Sequence, residues 1–191
     1  MKVGILALQG DVREHSRALE DAGATAVPVR YPEELAEVHA LVLPGGESTT
    51  IGKLLDRFEL LGPLTERARN GMPLYGTCAG LILMARDIVG SHDAPHRLSV
   101  MDVTVQRNAY GRQIDSFEAD LDVRGLDEPF RAVFIRAPVV EAVGDPVDVL
   151  AEHDGAPVLV RQGALLGSTF HPEMTGDNRV HELFVEMVRK S

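Results

Sequence analysis

The 191-residue sequence has no tryptophan, and its aromatics amount to only 5%. A core built from it has to rest on Val, Leu, Ile and Ala. It has one cysteine, Cys78. An intramolecular disulfide is therefore impossible, and a zinc site made of several cysteines is excluded. Basic residues are scarce relative to acidic ones, 19 against 29, giving a net charge of -10 with His neutral. They form no run, so the phosphate neutralisation that nucleic-acid binding needs is missing, and nucleic acid is not an expected partner. No apolar run approaches the roughly 18 residues of a membrane span. The first apolar run, Val3 to Leu8, gives way at once to a polar segment, and we expect neither a signal peptide nor a membrane anchor. A lone thiol fits a reducing, cytoplasmic setting.

What is present is a balanced globular composition, 45% hydrophobic and 25% charged. The length suits one domain spanning residues 1–191. The first half alternates two periodicities. Short apolar runs at Val3 to Leu8, Ala26 to Val29, Leu41 to Leu43 and Pro73 to Gly76 predict buried strands. Between them, helical spacing runs over Val12 to Ala22, Pro32 to Leu35, Ile51 to Phe58, Leu64 to Ala68 and Ala79 to about Ala85. Gly23 and Gly71 are good helix stops. The second half is richer in strands: Val100 to Arg107, Phe117 to Val123, Val133 to Arg136, then Val147 to Glu152 and Pro157 to Arg161 around the hairpin signal Asp154-Gly155, and Leu165 to Phe170. Val180 to Val188 predicts a C-terminal amphipathic helix. The polar stretch Gly90 to Arg97 is expected to be mobile. The fold class that follows is α/β, a three-layer domain with a mixed, mainly parallel central sheet and helices on both faces. In such sheets ligands bind beyond the carboxyl ends of the strands. The loops at 9–11, 44–48 and 76–80 all follow strands, so they are expected to face one site.

Three patterns in those loops carry chemistry. Gly76-Thr77-Cys78-Ala79-Gly80 lies between a strand and a helix and is the cysteine counterpart of a nucleophile elbow. The tight turn explains a glycine on each side, and the helix start directs N–H groups and a positive dipole end at the sulfur, which favours the thiolate. The alternative is a buried structural cysteine. A cysteine nucleophile needs a base. Of the histidines at 15, 39, 92, 96, 153, 171 and 181, only His171 follows an apolar strand and has a carboxylate close by, in His171-Pro172-Glu173. Pro172 holds His171 in extended geometry, and the i, i+2 spacing puts Glu173 on the same side of the chain, where it can fix the imidazole tautomer. His15 and His181 fall on helices and are expected as surface or packing residues. His92 and His96 are expected to be solvated. The third pattern, Pro44-Gly45-Gly46-Glu47-Ser48, is a flexible loop. Its N–H at Gly46, together with that of Ala79, can form an oxyanion hole. A phosphate loop is the rival, but G-x-x-x-x-G-K-[ST] is absent and Lys53 lies too far along.

Taken together, Pro44-Gly45-Gly46, Gly76-x-Cys78-x-Gly80 and His171-Pro172-Glu173 resemble the class I (triad) glutamine amidotransferases in type, order and spacing. The chain is more similar still to the glutaminase branch serving pyridoxal 5′-phosphate synthase. That likeness rests on residues 6–10, 43–50 and 75–81, on Arg107-Asn108, Gly111-Arg112-Gln113 and Asp115 to Glu118, and on Phe134 to Pro138 and Phe170 to Glu173. The resemblance implies that Cys78 forms a thioester with L-glutamine, His171 handles protons and Glu173 orients His171. It implies glutamine contacts at Gly46, Glu47, Ser48, Arg107, Ile135 and Arg136. It also implies a synthase subunit as partner, receiving ammonia, and neither cofactor nor metal. A glutaminase serving another synthase, or a non-catalytic binding protein on a related sheet, are the alternatives at this stage.

Overall fold

The computed structural model describes residues 1–90, 95–107 and 116–191. The expected mobile stretch falls partly outside them, at 91–94, and so do Asn108, Gly111-Arg112-Gln113 and Asp115. The chain begins with strand β1 (Lys2–Leu6), helix α1 (Val12–Asp21), β2 (Thr25–Val29), α2 (Pro32–Ala36) and β3 (Ala40–Leu43). It continues through α3 (Ser48–Arg57), α4 (Leu61–Arg69), β4 (Leu74–Thr77) and α5 (Ala79–Met84). The second half contains β5 (Ala85–Ile88), β6 (Met101–Gln106), β7 (Ser116–Leu121), β8 (Phe130–Ile135), β9 (Val139–Val143), β10 (Asp148–His153), β11 (Ala156–Gln162) and β12 (Leu165–Ser168). A 3₁₀ turn at Pro172–Met174 and helix α6 (Arg179–Lys190) close it.

Among the described residues, seven strands form the central sheet in the order β10-β11-β12-β4-β3-β1-β2. Every pair from β12 through β2 is parallel, and β10 and β11 join as antiparallel neighbours. The sheet is mixed and mainly parallel, as the alternating first half predicts. Helices α1 and α6 pack on one face, burying Leu19, Val180, Phe184 and Val188 against Val3, Ile5 and Val42. Helices α3, α4 and α5 cover the other, burying Ile51, Leu55, Leu64 and Leu81 against Leu6, Leu41 and Leu43. Both faces are needed because the parallel strands are apolar on both sides: β3 and β4 are buried at every position. No helix among the described residues is long and apolar enough to cross a membrane.

Two strands were not legible from the sequence. The helix ends where expected, near Ala85, whose ψ of 137° is extended, but the chain after it, for which no strand was expected, pairs with β6 as β5. Its sequence, Ala-Arg-Asp-Ile, buries only the two ends and shows no run to recognise. β9 is antiparallel to β6 and exposes its last three residues, so it lacks alternation as well. The Asp154-Gly155 hairpin forms as expected, with positive φ at both positions (48° and 78°) joining β10 to β11.

Candidate active site

At the carboxyl end of the sheet, β4 runs into α5 through Cys78. Its backbone sits at φ 48°, ψ -101°, a conformation that costs energy in any residue with a side chain. Its N–H donates to the carbonyl of Ser168 on the neighbouring β12 at 2.8 Å, which clamps the turn to the sheet. The flanking glycines have a direct steric cause. A Cβ on Gly76 would lie 2.5 Å from the Gly80 backbone, and one on Gly80 would lie 2.1 Å from the Leu43 carbonyl. The helix start therefore presses against β3 and β4, and the thiol, only 7% exposed, projects into a cleft of about 540 Å³.

His171 reaches the same cleft from the end of β12. Buried Phe170 anchors the chain before it, and the His171 N–H donates to the Val133 carbonyl on β8 at 2.8 Å. Its Nδ1 lies 2.8 Å from Oε1 of Glu173. The expected pairing is present, but its geometry differs. Pro172 opens a 3₁₀ turn, so the turn and not an extended chain brings the i, i+2 side chains together. Burial opposes charge on the imidazole. Its hydrogen bonds with Cys78 and Glu173, and their charges, outweigh that burial and push the His171 pKa up to about 10. The group is thus a cysteine sulfur, a protonated imidazole and a carboxylate in sequence, a set suited to nucleophilic acyl transfer.

The loop Pro44-Gly45-Gly46-Glu47-Ser48 forms one wall. A Cβ on Gly45 would lie 2.4 Å from Cε1 of His171, so the imidazole packs directly on the glycine. From behind, the Gly45 carbonyl sits where a Cβ on Gly10 would be, only 2.2 Å away. The Glu47 N–H donates to Oε1 of Gln9 at 3.0 Å. Gln9 and Gly10 therefore latch the loop, a role that no short motif revealed. Glu47 also caps α3, accepting from the N–H of Thr49 and Thr50 at 3.0 and 2.7 Å and from the Thr50 hydroxyl. Burial pushes its pKa up, but these hydrogen bonds together outweigh that and hold it at about 2. Its carboxylate is thus committed to the helix while the residue lines the cleft.

Gly46, Glu47, Ser48, Cys78, Arg107, Ile135, Arg136 and His171 all line this one cleft, from five separate parts of the chain. Ala79 begins α5 beside Cys78, and Glu173 stands behind His171, so neither is a lining residue. Arg107 donates to the Thr49 hydroxyl at 3.3 Å, and Arg136 follows β8 at a positive φ of 44°. Asp11 lines the cleft from the 9–11 loop that was expected to face it, and Ile82, which was not foreseen, lines it too. Asp11, His171 and Glu173 bring ligand-type atoms within 4.8 Å of one another. The Glu173 carboxylate there is already spent on His171, so a cation would have to displace that ion pair.

Of the two expectations for His15 and His181, surface or packing, the second holds: both are wholly buried, and they contact each other at 3.0 Å. The helical periodicity put His15 on the inner face of α1 but gave no sign of what it meets there. His96, expected to be solvated, is half-buried, with its ring 3.8 Å from Asp56, while His92 lies outside the described residues.

The chain is 62% identical to a pyridoxal 5′-phosphate synthase subunit PdxT of Mycobacteroides abscessus, across 98% of this chain and 97% of that one. It is 61% identical to the protein of the same name in Frankia casuarinae, across 100% and 96%. A crystal structure described as a glutamine amidotransferase superposes with a TM-score of 0.93 at 51% identity, covering 98% of both chains. Residues 5–190 match the SNO glutamine amidotransferase family, and the chain belongs to that family.

Proposed function

We propose that this chain is the glutaminase subunit of a pyridoxal 5′-phosphate synthase, one domain that hydrolyses L-glutamine and hands the ammonia to a synthase subunit. The observation that carries the reading is that Cys78 and His171 meet in one cleft beside a glycine loop, with Glu173 bonded behind His171. The full-length relatives named as subunits of that synthase support the choice of acceptor.

The reaction follows from the geometry. The Cys78 sulfur attacks the side-chain carboxamide carbon of glutamine. The oxygen that becomes negative takes hydrogen bonds from the N–H groups of Gly46 and Ala79. As the C–N bond breaks, His171 gives its proton to the leaving nitrogen, releasing ammonia and leaving a thioester. His171, now neutral, takes a proton from water. The hydroxide oxygen attacks the thioester, and glutamate leaves as the thiolate re-forms. Glu173 keeps the imidazole tautomer fixed throughout. The substrate's α-carboxylate pairs with Arg107 and Arg136, and its ammonium is met by the Ile135 carbonyl and the Glu47 edge of the cleft. No cofactor or metal takes part. A reduced thiol nucleophile suits a cytoplasmic enzyme.

Ammonia released without an acceptor is wasted. No side chain at 45 or 46 opposes rotation of the peptide between them, Gly46 already sits at φ 141°, and the contact of the Gly45 carbonyl with Gly10 is what holds the present orientation. Docking of the synthase near the Gln9-Gly10 latch selects the orientation that donates to the oxyanion. Titrating synthase into the chain at saturating glutamine should raise kcat on the order of 100- to 1000-fold, the worth of one oxyanion donor. Full activity without synthase removes the switch. Absence of hydrolysis with synthase present removes the glutaminase reading itself.

A further inference from the structure

Glu173 lies deep in the protein with one oxygen accounted for and one not. Oε1 meets His171, while Oε2 is buried without a hydrogen bond. An anionic oxygen left so is expensive unless a dipole faces it. The group that faces it is His15 on α1, whose Nε2 stands 3.6 Å away. That is an ion–dipole contact slightly longer than a hydrogen bond. Nε2 also lies 3.4 Å from the Thr77 hydroxyl on β4, one residue before the nucleophile. On its other side, Nδ1 of His15 lies 3.0 Å from Nε2 of His181 on α6. The polar chain thus runs from the cleft through His171, Glu173 and His15 to His181, across the 3₁₀ turn and two helices.

Three observations fix where the protons sit in this chain. Burial, with His181 and His171 nearby, drives the His15 pKa well down, and burial drives that of His181 to about 4. Each ring therefore carries a single proton at neutral pH. A lone pair on Nε2 of His15 would point at a carboxylate oxygen, whereas an N–H there meets it favourably. With Nε2 protonated, Nδ1 accepts from the Nε2–H of His181. That leaves Nδ1 of His181 as a bare acceptor, and this is the atom that has no hydrogen-bond partner. The opposite assignment would bury an unpaired N–H at that point, and orphaned donors are the rarer and costlier case.

We infer that His15 is a positioning residue for the reaction: it holds its proton on Nε2, aims it at Oε2 of Glu173, and so keeps Oε1 turned toward His171. The inference rests on the glutaminase reading for its kinetic consequence, but not for its tautomer. His15 touches neither the cleft nor the substrate and acts only through Glu173.

The test has two arms on the full chain. In the first, ¹⁵N NMR of the wild-type protein at neutral pH reads the His15 tautomer, and Nε2–H with bare Nδ1 is expected. A ring protonated on Nδ1 alone, or on both nitrogens, overturns the inference. In the second, glutamine hydrolysis is measured with synthase present. His15→Leu should lower kcat on the order of tenfold, the low end of what a hydrogen bond to a charged group is worth, because this contact is longer than one. KM should stay within about twofold, because no substrate contact is lost. His15→Gln, whose amide N–H can reach the place of Nε2, should restore most of the rate. Equal losses in the two variants, or a loss confined to KM, overturn the inference. If His15→Leu does not fold, the wild-type tautomer and the rate of His15→Gln decide. Failure of wild-type hydrolysis would count against the glutaminase reading and leave the NMR result standing on its own.

Discussion

Replacing Gly45 with alanine adds one methyl group directly against the imidazole of the site. The new Cβ would lie 2.4 Å from Cε1 and 3.1 Å from Nδ1 of His171. Ordinary carbon contacts need about 3.5 Å, so ring and loop must part by about 1 Å. The loop cannot simply retreat, because its Gly45 carbonyl already fills the space that a side chain on Gly10 would take. The ring is the group that moves, and it leaves the 2.8 Å contact with Glu173 and its bond to Cys78. A misplacement of about 1 Å costs roughly 100-fold in well-ordered sites. That corresponds to about 2.7 kcal/mol in the barrier. The expected result is a kcat about 100-fold lower for ammonia release with synthase present. Overpacking of this kind also costs stability, about 1–3 kcal/mol, so Tm should fall by several degrees. Gly62→Ala is the control, since a Cβ there meets nothing within 4 Å, and it should leave kcat unchanged. A Gly45→Ala protein with kcat within about twofold of wild type would refute the claim that imidazole placement limits the rate.

Two further outcomes follow from charged groups. His171, raised from 6.5 to about 10, gives stability that is fully present below pH 6.5 and is lost as pH rises through about 10. Its ring resonances should titrate near pH 10, and earlier in Cys78→Ala; a wild-type midpoint near 6.5 contradicts the ion pair. Glu47, lowered from 4.5 to about 2, gives stability that is present above pH 4.5 and lost as pH falls toward 2. Because this cap is exposed and screened, Glu47→Ala should cost only about 1 kcal/mol in urea unfolding at pH 7. The gap between the two proteins should close in acid, and a gap unchanged down to pH 2 would mean that the cap is not the cause.

The site was legible where its chemistry is local in sequence. Cys78 is bracketed by Gly76, which the start of α5 crowds, and Gly80, which presses on Leu43, and that crowding leaves a mark within five residues. His171 and Glu173 stand two apart around a proline, and the 3₁₀ turn that pairs them is just as local. The parallel half of the sheet was legible because strands buried on both faces, such as Leu41 to Leu43, are continuous apolar runs. What escaped depends on partners far away in the chain. His15 and His181 meet across 166 residues, and a helix-face pattern says only that His15 turns inward. The Gln9 amide finds Glu47 across 38 residues. The Glu47 cap escaped for a smaller reason: α3 begins at Ser48, three residues before its first large apolar side chain at Ile51. The periodicity therefore started the helix too late and left Glu47 in the loop.

The central claim is that Cys78 is the nucleophile that frees ammonia from glutamine. It is tested most directly by incubating the chain and its synthase with glutamine, quenching in acid, and weighing the intact chain while ammonia is assayed in parallel. The wild-type chain should carry a glutamyl adduct on Cys78 and release ammonia. Cys78→Ala should carry none and release none, yet its complex should still make pyridoxal 5′-phosphate from added ammonium salts. Appreciable ammonia release from glutamine by Cys78→Ala would contradict the assignment.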